Sequence, residues 1–263
     1  MFSLSFLLDS VKILSTFITL LVLSIQDWRT RELDARIVYF YLILSILLFF
    51  ASTIILDAPL YMRLFYAGIS LFTTAGLFIL LYKTGLIGDG DVYIATALGL
   101  MFPYSDTYKL TLQAYGLLPP SMVIIFYASV SALVIMLTNV LQVIMRYRGA
   151  LERLPQGYRI IVPLLGRPVK IRDYLNGKFK HYYPLQSFEI DGEKLTVKFR
   201  LVTGVDNAEI NDLRNIVERG LLNPDDYIWI TPGLPFILYL LIGFILVLLV
   251  GDKPLLTLIS KVI

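Results

Sequence analysis

The sequence predicts an all-α polytopic membrane protein with about six transmembrane helices and a small α+β cytoplasmic insertion before the last of them. Three observations predict it. Of 263 residues, 57% are hydrophobic and only 16% charged, well under the quarter expected of a globular chain. Mean hydropathy is +0.73. Several apolar runs reach the roughly 20 residues a helix needs to cross a bilayer. The net charge of +3 is too small to suggest a nucleic-acid partner. With no cysteine and one histidine, His181, disulfide scaffolds, thiol nucleophiles and cysteine-held metal sites are excluded.

Taken in order, the first span runs from the N-terminus to Gln26, with Asp9 and Lys12 near its start. It has neither a basic n-region nor a small-residue cleavage site, so it reads as a retained helix. Ile37–Leu56, "IVYFYLILSILLFFASTIIL", carries no charge at all. Leu64–Tyr82, Ser121–Met145 and Gly233–Gly251 qualify by length and composition. Val92 to about Leu118 is interrupted by "PYSDTYK" and reads as a bent helix or as a short helix with a loop.

Loops rich in Lys and Arg stay in the cytoplasm. Placing "DWRTRELDAR" inside puts Arg29, Arg31, Arg36, Lys83 and the basic residues between Arg146 and Ile230 on one side, with both termini outside. Three regions follow. Residues 1–145 form a membrane domain, 146–230 a cytoplasmic insertion, and 231–263 the last span with a short tail. Within the insertion, "YRIIVPL" and "KLTVKFRLV" read as strands from their branched residues. "VDNAEINDLRNIVERG" reads as a helix with Asp206 as N-cap, Glu209 three residues on and Gly220 past its end. "NPDDYIWI" then leads back to the membrane, with Trp28 and Trp229 as interfacial anchors.

The chemistry concentrates in two carboxylates. Asp27 ends the first span, and two spans later "GLIGDGDVYIATALGL" brings Asp91 back to the same face at similar depth. Ionisable groups at a membrane boundary are costly and suggest function. Two close carboxylates cannot both ionise cheaply, so they share a proton. One can then take a proton from water while the other polarises a carbonyl. Gly88 and Gly90 leave room for a substrate backbone and permit turns that other residues resist. The structural alternative is that Asp91 is only a helix N-cap. Asp89 reads as a solvated turn residue or a tuner of its neighbour. Glu32 and Asp34 read as a solvated loop, or as contacts for a basic leader.

At these residues the chain resembles a known family. Gly88–Asp91, "GDGD", resembles the Gly-x-Gly-Asp motif of membrane aspartic proteases. "DWRTRELDARIV" resembles the first catalytic segment of type IV prepilin-like peptidases. "TPGLPFI", Thr231–Ile237, resembles the archaeal branch, the preflagellin peptidases. The resemblance implies Asp27 and Asp91 as the catalytic pair, Gly88 and Gly90 as motif glycines, and no metal or other cofactor. It implies removal of a short basic leader from precursors of archaeal flagella or type IV-like pili, at the cytoplasmic face of the plasma membrane. Pro232 and Pro235 would set the entry of the last helix or touch substrate. Bacterial relatives often carry a cysteine-containing loop and also methylate the new amine; this chain has neither cysteine nor room before its first span, so methylation is not carried over. The rival readings are an ion-coupled transporter using the same acids, disfavoured because no duplicated halves are visible, and a membrane scaffold for filament assembly.

Overall fold

A computed structural model describes residues 4–30, 32–55, 59–84, 87–104, 115–179, 182–191, 194–199, 207–231 and 235–262. Arg31, His181, Asp206 and Pro232 lie outside these residues. The chain begins with α1 (Leu4–Thr30), α2 (Ala35–Ile55), α3 (Leu60–Leu71) and α4 (Leu77–Lys83), the last two joined through a π-turn at Phe72–Gly76. Next come α5 (Asp89–Met101), α6 (Pro120–Arg146), α7 (Arg148–Glu152) and α8 (Ile161–Leu165). A mixed stretch follows: β1 (Arg167–Lys170), α9 (Ile171–Leu175), β2 (Tyr183–Pro184), β3 (Gln186–Asp191), β4 (Lys194–Phe199), α10 (Asn207–Glu218) and β5 (Tyr227–Thr231). Helices α11 (Phe236–Val250) and α12 (Lys253–Val262) close the chain. Two compact units result, Met1–Ala132 with Pro235–Ile263, and Leu133–Leu234.

Among the described residues four helical stretches are long and apolar enough to cross a membrane: α1, α2, Leu60–Lys83 and α6. A fifth is added if α11 and α12, bent by 85° at their junction, count together. The expected span from Val92 to Leu118 is not one helix. Helix α5 ends at Met101, where Phe102 leaves helical geometry, and residues 115–118 are not helical. At 13 residues, α5 spans only about 20 Å at 1.5 Å per residue, short of the roughly 30 Å hydrocarbon thickness.

In the first unit this short helix is nonetheless well enclosed. Ile94, Ala95, Ala97, Leu98 and Met101 are fully buried, and α5 packs chiefly on α2 and the π-turn, while α1 packs on α11 and α2. Large apolar side chains such as Phe40, Ile54 and Phe72 remain outward, as expected of helices solvated by lipid. In lipid, polar groups must find partners inside the protein. Ser15, Ser45, Ser52 and Thr74 accordingly turn their hydroxyls back onto carbonyls three or four residues earlier. The Thr16 and Tyr41 hydroxyls meet at 2.9 Å between α1 and α2.

The second unit carries both sheets. β5 is the central strand between β1 and β2, antiparallel to each, and β3–β4 forms a separate hairpin. Lys194–Phe199 is a strand as expected, but "YRIIVPL" is not. Its residues form a 3₁₀ turn at Gln156–Tyr158 and the helix α8. Pro163 explains the outcome: it has no N–H for a strand ladder, whereas in the first turn of a helix that N–H has no partner to lose. Trp229 is also not an interfacial anchor. It is buried among Val143, Ala150, Leu154, Val162 and Leu185, because β5 is the middle strand. Gly220 ends α10 as expected: with φ +74°, its N–H bonds to the Val217 carbonyl and that of Leu221 to Ile216, a Schellman closure.

One buried carboxylate was not foreseen. Asp252, at the bend between α11 and α12, is fully buried and accepts the backbone N–H groups of Tyr115 (2.7 Å), Gly116 (3.3 Å), Leu117 (2.9 Å) and Leu118 (3.3 Å). The Tyr127 hydroxyl donates to the Gly251 carbonyl at 2.9 Å. Replacing Asp252 with Ala leaves four N–H groups without their acceptor, and Asp252→Ala is expected to destabilise the protein by about 3–5 kcal/mol, the usual cost of breaking a buried charged network. Thermal unfolding in detergent checks this. A midpoint equal to that of the parent would show that the four bonds contribute nothing.

Candidate functional site

The last turn of α1 carries Asp27, half-buried, with Trp28 and Arg29 outward beside it. The chain then turns sharply, and local hydrogen bonds fix that turn. The Thr30 hydroxyl donates to the Gln26 carbonyl at 3.0 Å, and the Gln26 side-chain oxygen accepts the Asp34 N–H at 3.3 Å. Asp34 caps α2: its Oδ1 accepts the Arg36 N–H at 2.9 Å, its carbonyl accepts the Ile37 and Val38 N–H groups, and its carboxylate pairs with the Arg36 side chain at 3.5 Å. Its place is therefore that of a helix cap. Glu32 is exposed.

The turn presents Leu33, partly buried against the main core, to Gly90. A Cβ at Gly90 would stand 2.9 Å from Leu33 Cδ1 and 3.7 Å from its Cβ. Lacking a side chain, Gly90 allows the loop after Asp27 to touch the helix that carries Asp91. Sequence reasoning missed Leu33, although the signal was there: it is the only large aliphatic residue in a charged loop. It also missed the Tyr39–Tyr93 ring pair, 5.5 Å between centroids, which ties α2 to α5 nearby.

Gly88 is the N-cap of α5, extended at φ −83°, ψ 167°. Asp91 is not the cap but the third helical residue, and its Oδ2 accepts the Gly88 N–H at 3.1 Å. Since glycine has no side chain, only this arm of a capping box is made. Neither motif glycine has a positive φ, so backbone freedom is not the reason for them. A Cβ at Gly88 would sit 3.8 Å from Asp91 Oδ2, so its absence keeps one approach to that carboxylate open. Asp89 is exposed, with its Oδ1 accepting the Gly90 N–H at 2.8 Å.

Asp91 opens a helix outside the long spans, and its carboxyl is pushed up to about 6. Burial is the largest cause; the Gly88 N–H offsets part of it, and the charges of Asp27 and Asp89 raise it further. Asp27 and Asp91 thus stand within electrostatic reach of each other. One carboxyl that holds its proton toward neutral pH beside another supplies an acid and a base in one place. Among the described residues no three Asp, Glu or His side chains are grouped to hold a metal ion. Pro235 is buried and caps α11, its carbonyl accepting the Leu238 N–H at 3.1 Å. Phe236, next to it, meets the Phe78 ring edge-on at 5.0 Å.

The Leu33–Gly90 contact generates a graded expectation. Gly90→Ala displaces only the flexible tip of Leu33 and is nearly silent. Gly90→Val crowds the loop and costs about 1–3 kcal/mol, and Leu33→Ala restores much of that loss in the double variant. A thermal-unfolding double-mutant cycle reads the coupling; additive effects would mean that the two residues are independent.

Residues 14–137 match the model of the type IV leader peptidase family, a stretch that contains Asp27 and all of Gly88–Asp91. Residues 158–253 match the model described as archaeal peptidase A24 C-terminus type II, covering most of the second unit and α11. No curated protein matches the chain. The two family models fall in chain order and leave unmatched only the first 13 residues, 138–157 and the last ten. The protein is therefore a membrane peptidase of the type IV leader peptidase family, peptidase A24, whose members process prepilins and preflagellins.

Proposed function

We propose that this peptidase is of the aspartic type, with Asp27 and Asp91 as its catalytic pair. It removes the short basic leader of preflagellins or type IV pilin-like precursors at the cytoplasmic face of the plasma membrane. The observation that carries the reading is the electrostatic coupling of a half-buried Asp91 to Asp27, two acids from separate helices joined through the Leu33–Gly90 contact. Such a pair shares one proton.

In the reaction, the ionised carboxylate takes a proton from water as its oxygen attacks the scissile carbonyl carbon. The protonated carboxyl gives its proton to the carbonyl oxygen, producing a neutral gem-diol. The first carboxyl then gives the proton it took from water to the nitrogen, the second takes one from a gem-diol hydroxyl, and the C–N bond breaks; the new carboxyl and amine leave with both acids back in their starting states. The open approach over Gly88 admits the substrate backbone. Exposed Asp89 and Glu32 offer negative charge to a basic leader. Arg29, Arg31 and Arg36, in the segment "DWRTRELDAR", support the cytoplasmic placement through the positive-inside rule.

Asp27→Asn and Asp91→Asn are each expected to lower cleavage of a purified precursor by about 10²–10⁴-fold while the protein still accumulates in membranes. Full activity in either variant would end the proposal. Asp89→Asn remains active but changes the pH profile. Its charge raises the Asp91 pKa, so removing it lets Asp91 lose its proton at lower pH. The alkaline limb of kcat/KM therefore moves to lower pH; an upward shift, or none, would contradict the assignment of that limb to Asp91.

A further inference from the structure

The geometry points to a lipid-anchored shelf at the end of α6, built from Met145, Ile160 and Ile161 with Arg146, Arg148 and Arg159, and docking on anionic headgroups. Helix α6 has 27 residues, about 40 Å at 1.5 Å per residue, roughly 10 Å more than the hydrocarbon thickness. The polar pair Thr138–Asn139 marks where the surplus begins. From there the helix serves as a post for the chain that follows: the Asn139 amide donates to the Pro163 carbonyl at 2.8 Å and to that of Gly166 at 3.0 Å. Val143 and Val162 share one buried cluster. These bonds hold the start of α8 level with the last two turns of α6, in the roughly 10 Å that extend past the hydrocarbon into the headgroup layer.

At that depth the outward side chains are apolar. Met145 is 83% exposed, Ile160 74% and Ile161 41%, a costly arrangement in water but a favourable one at the acyl boundary. The three arginines, close to Met145 and Ile160 in the chain, are exposed as well. Arg148 pairs with Glu152 at 3.1 Å, and Arg159 is braced on the Leu154 and Glu152 carbonyls at 2.9 Å. Exposed apolar tips with arginines next to them in the chain complement a surface of acyl chains and phosphates. Headgroup phosphates are the partner because Met145 and Arg146 end a membrane-crossing helix.

The absence of native cysteine permits a clean test on the full chain in bilayer discs. A nitroxide on Ile160→Cys is compared with one on Leu221→Cys, an exposed control, using oxygen and a nickel chelate as collision reagents. The expected result is preferential oxygen contact at 160 and nickel contact at 221. In discs containing phosphatidylglycerol, replacing the three arginines by glutamine lowers the oxygen preference at 160 severalfold, and in phosphatidylcholine alone it does not. Free nickel access at 160 overturns the shelf. Shielding from both reagents also overturns it, since a protein partner then covers the patch. An arginine effect that is equal in both lipids, or absent, overturns the anionic-headgroup assignment.

Discussion

The contact of Leu33 with Gly90 is the constraint on which the site depends. Asp27 and Asp91 are 64 positions apart in the chain and belong to helices with other principal neighbours, α1 on α11 and α5 on α2. The turn after Asp27 is stiffened by Gln26, Thr30 and the Asp34 cap, so Leu33 has a defined position. Gly90 gives it somewhere to go. A side chain larger than a methyl group there pushes back on the turn, and the charge of Asp27 would no longer act on Asp91 from the same place.

The solvent explains much of the rest. In hydrocarbon no water compensates a stray polar group, and several buried polar groups of the first unit find partners inside the protein. Hydroxyls return to their own helices, Ser70 bonds both the Gly99 carbonyl and Ser121 at 2.6 Å, and Asp252 is met by four N–H groups. Asp91 differs in kind. It accepts the Gly88 N–H, but burial outweighs that bond, and two like charges add to the burden. A group left so poised is where proton chemistry costs least.

The helical membrane class, the Lys194–Phe199 strand and the Gly220 helix stop were legible because hydropathy, branching and terminal glycine act locally. The aspartate motif was legible for the same reason, as a tetrad at a span boundary. The rest required three dimensions. Pro163 turned a branched, strand-like segment into helix, and Trp229 looked interfacial until β5 proved to be a central strand. The break after Met101 was visible as "PYSDTYK", but whether it bent or ended the helix was not. Asp252 could not be read at all, since its partners lie more than 130 residues away. Of the two reasons read for Gly88 and Gly90, backbone freedom falls away, since neither has a positive φ, while the space a missing Cβ leaves remains.

The most direct test of the coupled pair is isotope-edited infrared titration of the Asp91 carboxyl in the parent and in Asp27→Asn. Like charge raises a carboxyl pKa, so a proton released near pH 6 in the parent should leave at lower pH once Asp27 is neutral. An Asp91 titration that does not move, or that moves upward, would contradict the account.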